Sequence, residues 1–287
     1  MIDFAKSRAI LTGASRGIGA VLADALAARG VELVLAARGE AGLEEVRAKV
    51  ARHGRRVFTL ATDVGRREQL ERLVDFAQEK LGPIDLLVNN AGIEHVSFFE
   101  KLEPSFIEQF VAVNLTAPML LTRMVLPSMI AANRGHILSI ASLAGLAPAA
   151  FAEPYGATKH GVVGFTRALR ASLQTLGSAV SASVVCPGFV SDAGMFHDMQ
   201  TQYGIVAPRR LGTCTPEAVA KASVRAIERD EPEVVVNGAP IRHLLLLGMA
   251  FPGLIERIAK KMEAHKVFHE LAQRREVKAK AFASGPT

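Results

Sequence analysis

Short apolar runs rich in β-branched residues recur along this chain, separated by longer stretches of helical periodicity. The runs read "AILTG", "VELVLAA", "RVFTLAT", "IDLLVNNAG", "GHILSIAS", "AVSASVVCPG" and "EVVVNG". Such runs, bounded by turn residues, mark strands covered on both faces. Seven of them with helices between predict βαβ units and a mostly parallel sheet. Right-handed crossovers then wind helices onto both faces. The expectation is one doubly wound, seven-stranded α/β domain over residues 1–240, with a helical C-terminal extension over 241–287 packed on it or projecting from it.

Composition narrows the class. Hydrophobic residues make up 49% and charged residues 22% of the chain, enough for a sizeable core and too ordered a balance for a disordered chain. Cys186 and Cys214 have neither paired nor metal-ligand spacing. A reducing, cytoplasmic compartment is expected, with no structural disulfide and no metal. The N-terminal residues lack the long apolar run of a signal peptide. Of the net charge of +6, residues 256–280 supply +4, from eight Lys/Arg and four Glu, so the rest is nearly balanced. A nucleic-acid footprint over the whole surface is therefore not expected.

The first strand runs into "TGASRGIGAVLADALAARG". Gly13, Gly17 and Gly19 allow a tight turn and close approach of backbone to a pyrophosphate, and the helix that follows offers free N–H groups and a positive dipole. An ordinary strand-to-helix turn is the alternative; placement at the first such junction favours the dinucleotide reading. The spacing is G-x-x-x-G-x-G. Together with "YGATK" at residues 155–159, the segment from Thr12 to Gly19 resembles the short-chain dehydrogenase/reductase family, over roughly residues 6–240. The resemblance implies a Rossmann-like fold, a nicotinamide cofactor and hydride transfer to or from a carbonyl or secondary alcohol.

Several segments bear on the cofactor. The turn contributes Gly13, Ser15, Arg16, Gly17, Ile18 and Gly19. The second strand ends in Ala37 and Arg38, with no acid to bind ribose hydroxyls. Arg16 and Arg38 favour the 2′-phosphate of NADP(H) over NAD(H), unless both are merely solvated surface residues. Asp63, with Val64 beside it, resembles the family's adenine contact; a helix cap is the alternative role, and the two are compatible. In "NNAG", the family segment lining the cofactor, Asn90, Ala91 and Gly92 are the candidate contacts. Pro187, Gly188 and Val190 follow the sixth strand and resemble the turn beside the nicotinamide. Family members often carry a threonine five residues after that proline; here the position is Asp192, with Ser191 or backbone as substitutes.

Tyr155 and Lys159 stand at i and i+4 of a helix that begins near Pro154. A nearby ammonium favours phenolate and lowers the phenol's pKa from about 10 toward the working range. Isolated, such a pair is helix decoration; with Ser142 thirteen residues earlier it matches the family's catalytic set. Ser142, preferred to its neighbour Ser139, would hold the substrate oxygen against the Tyr155 hydroxyl. Asn114, by the same resemblance, would bind a water linking Lys159 to solvent; a satisfied core amide is the plainer reading.

Residues 189–212 contain Phe189, Met195, Phe196, Met199 and Tyr203, an apolar lid over a lipophilic ketone or alcohol, or simply core. Reduction of 3-ketoacyl thioesters, and a non-catalytic nucleotide sensor, are the alternative functions; a sensor is not expected to keep the tyrosine, lysine and serine. The run from Leu244 to Ile255 is too short to cross a bilayer and is broken by Pro252 and Gly253. With the basic stretch behind it, residues 244–280 could touch a membrane surface, wall the pocket or meet another subunit. The resemblance implies a homodimer or homotetramer, packed through helices near residues 104–132 and 155–177.

Overall fold

The apolar runs become parallel strands because each is buried from above and below. They are β1 (Arg8–Thr12), β2 (Glu32–Ala37), β3 (Val57–Ala61), β4 (Leu86–Asn89), β5 (His136–Ile140), β6 (Ser181–Pro187) and β7 (Glu233–Val236). All seven are parallel, in the order β3-β2-β1-β4-β5-β6-β7. The computed structural model describes residues 2–261 and 264–283.

The helices are α1 (Gly17–Ala27), α2 (Glu40–Val50), α3 (Arg67–Leu81), α4 (Pro104–Val111), α5 (Ala117–Ala131), α6 (Glu153–Thr175), α7 (Met195–Tyr203) and α8 (Pro216–Glu228), then α9 (Arg242–Ala250), α10 (Pro252–Lys261) and α11 (Ala264–Ala283). Successive strand side chains point to opposite faces. Leu33 and Leu35 of β2 therefore join the core under α1, α2 and α8, while Val34 and Ala36 join the core under α3, α5 and α6. The stretch Pro104–Ala131 has the length and hydropathy of a membrane span, but Leu121, Val125 and Met129 are buried in this second core, which accounts for its composition.

The chain leaves β1 toward β2 and β3, then returns to place β4 on β1's other side. The connections part at that point, opening a crevice at the strands' carboxyl ends, the usual ligand position in such sheets. The opposite end is pinned by Asp85, a buried carboxylate that accepts from Arg8 Nε at 2.8 Å and Arg134 Nε at 3.0 Å.

The C-terminal helices fold back over the crevice. Leu271 and Ala272 of α11 are buried with Val96, Phe196 and Met199, so α11 clamps α7 to the segment after β4. Arg275 pairs with Glu94 at 2.9 Å, and Lys101 with Glu276 at 2.7 Å.

Candidate active site

The turn after β1 has no room for side chains. Gly13 has φ +66°, and a Cβ on it would lie 2.8 Å from the Ala91 Cα. A Cβ on Gly19 would lie 2.1 Å from the Gly13 carbonyl oxygen. Asn90 braces the turn, its Nδ2 donating to the carbonyls of Thr12 at 2.9 Å and Gly13 at 3.1 Å. Thr12 Oγ1 accepts from the Asn90 and Ala91 N–H groups, both at 3.1 Å, stitching β1 to β4. At the α1 N-terminus no side chain caps the first-turn N–H groups, leaving donors for an anion. A close-packed glycine cradle with uncapped donors fits a dinucleotide pyrophosphate.

Apart from the substitute Ser191, the cofactor residues anticipated above line one cavity of about 870 Å³. It runs from the glycine turn past Arg38 and Asp63 to the 90–92 segment, then to Pro187, Gly188 and Val190. Asp63 also holds its own turn, Oδ1 accepting from the Gly65 N–H at 3.0 Å. Arg38 is exposed at the rim. Arg16 is not aimed solely at the ribose region: its guanidinium reaches across the cleft to Asp198 of α7 at 2.6 Å. Neither Ser191 nor Asp192 lines the cavity; Ser191 Oγ donates to Asp192 at 3.0 Å instead. A carboxamide contact at this turn therefore falls to backbone.

Ser142, Tyr155 and Lys159 converge on the same cavity. Pro154 occupies the first turn of α6, where its missing N–H costs nothing, and Tyr155 and Lys159 follow one turn apart. Ser142 follows β5, its Oγ accepting from the Ala144 N–H at 3.1 Å, and it lines the cavity with Tyr155. Ser139 is instead buried in the core, where its Oγ accepts from Thr166 at 3.0 Å. Lys159 is buried, its Nζ donating to the Ile140 carbonyl at 3.1 Å and standing 5.6 Å from the centre of the Tyr155 ring.

The electrostatics differ from the sequence expectation. Burial pushes the Tyr155 phenol up to about 12; the Ser142 side chain pulls it down, and the charges of Glu94 and Cys186 raise it further. Burial also brings Lys159 down to about 8. The protein's own groups thus keep Tyr155 protonated, and its lysine neighbour does not reverse the effect. Burial acts on both charged forms at once, which residue spacing cannot reveal.

Asn114 lies beside the cavity, in a π-helical turn, Ala112–Thr116, between α4 and α5. Its Oδ1 accepts from the Ile93 N–H at 2.8 Å and its Nδ2 donates to the Ile93 carbonyl at 2.9 Å. The side-chain amide thus clamps the 91–93 segment. A Cβ on Gly92 would lie 3.3 Å from Asn114 Oδ1 and 3.5 Å from Lys159 Nζ, so the clamp sets the wall opposite the lysine.

Sequence reasoning missed Glu94, which lines the cavity while pairing with Arg275 of α11. Burial raises its pKa against the pull of Arg275. An acid just beyond a strand's carboxyl end was the available signal. Also missed were the individual C-terminal wall residues, Ile241, Leu244, Leu245, Gly248 and Phe268. In the lid, Phe189, Met195, Phe196 and Met199 line the cavity, whereas Tyr203 stacks under Arg275 and Lys278.

Comparison with known proteins agrees with this geometry. The sequence signature described as short chain dehydrogenase matches residues 7–204. A ketoacyl reductase of Nostoc sp., HetN, is 41% identical over 254 residues, which cover 87% of this chain and 86% of that protein. Among solved structures, a variant actinorhodin polyketide ketoreductase with NADPH is similar with a TM-score of 0.75 and 30% identity, covering 84% of this chain and 98% of that one. A short-chain dehydrogenase/reductase from Burkholderia phymatum in complex with NAD gives a TM-score of 0.78 at 28% identity, covering 88% and 96%. The chain belongs to the short-chain dehydrogenase/reductase family of oxidoreductases.

Proposed function

We propose that this enzyme is an NADP(H)-dependent reductase of lipophilic carbonyl compounds, reversibly forming the secondary alcohol. The carrying observation is the single cavity, which joins the glycine cradle to Ser142, Tyr155 and Lys159 and continues between apolar walls from α7 and α9. Bound nicotinamide supplies the hydride in reduction. Ser142 donates to the substrate oxygen and positions it, and the Tyr155 hydroxyl gives the proton to that oxygen. The raised pKa of Tyr155 keeps the donor loaded at neutral pH. In the reverse direction Tyr155 must accept a proton, so oxidation of the alcohol gains from alkaline pH. Lys159 is the adjacent cation that offsets phenolate charge as it forms.

The NADP(H) preference rests on Arg38 and Arg16 and on the absence of an acid at the end of β2. Asp198 holds Arg16 through one exposed carboxylate; a 2′-phosphate offers the guanidinium a stronger bidentate partner. Similarity to a ketoacyl reductase at 41% identity favours a second reading, in which the lipophilic substrate is a 3-ketoacyl thioester. A turnover panel of ketones of rising chain length, with acetoacetyl and longer thioesters, run with NADPH and NADH, tests both. The primary reading predicts activity rising with apolar length and a preference for NADPH. Turnover confined to small polar carbonyls, or equal rates with NADH, would reject it.

A further inference from the structure

Helix α9 is apolar on two faces while lying at the surface. Ile241, just before it, and Leu244, Leu245 and Gly248 repeat at helical spacing and turn inward to line the cavity. Leu246, Leu247 and Met249 on the helix, with Phe251 and Leu254 beyond it, are each 36–67% exposed. A surface helix ordinarily carries polar residues on its outer side. Five of the large exposed hydrophobics among the described residues thus fall within nine consecutive positions. This is a contiguous patch rather than scattered leucines, and it calls for a covering surface.

Two further features say what covers it. The patch is bordered by cations: Arg242 opens α9, and Arg257 and Lys260 follow Leu254 on α10, all exposed. Over residues 242–261, four Lys/Arg stand against one carboxylate, Glu256. Apolar side chains flanked by long cationic ones match an anionic lipid interface, where the apolar group enters the acyl boundary and the amine stays with the headgroups. The patch also adjoins the cavity's edge, since Met249 lines the cavity and is itself largely exposed.

We propose that α9 and α10 dock the enzyme on an anionic membrane surface, with the substrate cavity opening beside the lipid. This goes beyond the proposed reaction and needs no particular substrate; if the lipophilic reading also holds, substrate passes from bilayer to cavity without crossing water. A second copy of the chain is the rival occupant. The charged border argues against it, because a two-fold contact would bring like charges together at the rim.

The test is flotation of the full chain with phosphatidylcholine vesicles, with and without a minor fraction of phosphatidylglycerol, at low and high salt. The wild type should float with the anionic vesicles and lose binding as salt rises. The triple variant Leu246→Ser, Phe251→Ser, Leu254→Ser, none of whose positions lines the cavity, should lose at least about tenfold in partition coefficient. Its thermal melt and its turnover of a water-soluble ketone should be unchanged. Should that variant fold poorly, Arg257→Glu with Lys260→Glu provides the second reading and should abolish the preference for anionic vesicles. Wild-type protein left at the bottom of the gradient would overturn the proposal. So would equal flotation of the wild type and the well-folded triple variant, or conversion of an oligomer to monomer by the triple substitution. Flotation measures binding without turnover, so its failure leaves the reductase reading untouched.

Discussion

Replacing Lys159 by methionine separates the cost of a buried charge from the use made of it. The side chain is 4% exposed, and burial brings its pKa from 10.5 to about 8. At pH 7 the fold therefore carries an ammonium that it disfavours by about 3 kcal/mol, at about 1.4 kcal/mol per pKa unit. Between pH 8 and 10.5 the unfolded chain binds the proton that the folded chain has released. Stability of the parent thus rises with pH across that window. Methionine does not titrate, and its packing differences offset both ends of the pH range equally. The unfolding free energy of the parent relative to Lys159→Met should increase by about 2 kcal/mol between pH 7 and about pH 9.5. Stopping there avoids ionising Tyr155. Urea unfolding followed by circular dichroism at both pH values measures the change, since the chain has no tryptophan. Turnover of the variant should fall at least about 100-fold. A stability difference that stays constant with pH to within about 0.5 kcal/mol would refute the buried ammonium.

Gly19→Ala should weaken NADPH binding at least about tenfold in a fluorescence titration, because its Cβ has nowhere to go but into the Gly13 carbonyl. Arg38→Ser should shrink the ratio of kcat/KM for NADPH over NADH by about tenfold or more, with the NADH value little changed. Asp85→Asn should lower stability by about 2 kcal/mol in denaturant titration while leaving kcat intact, since it leaves Arg8 and Arg134 without a counter-charge at the end of the sheet away from the cavity.

The parallel sheet was legible because strands buried on both faces leave continuous apolar runs such as "VELVLAA". The tight glycine turn was legible because steric exclusion leaves only glycine at Gly13 and Gly19, and the placing of Tyr155 one turn from Lys159 because both fall in one helix. What stayed hidden depends on burial and on partners distant in sequence. The phenol's upward shift arises from desolvation and from Glu94, 61 positions away. The pairing of Arg16 with Asp198 was hidden because the two lie 182 residues apart. The Asn114–Ile93 pair was hidden because nothing in "FVAVNLTAP" points to the segment that its amide holds.

The most direct test is Tyr155→Phe, which deletes the proposed proton donor's oxygen and keeps the ring. NADPH binding should stay within about twofold of wild type, while kcat for ketone reduction falls about 100-fold to 10,000-fold. Turnover within about tenfold of wild type, with NADPH binding intact, would contradict Tyr155 as the acid.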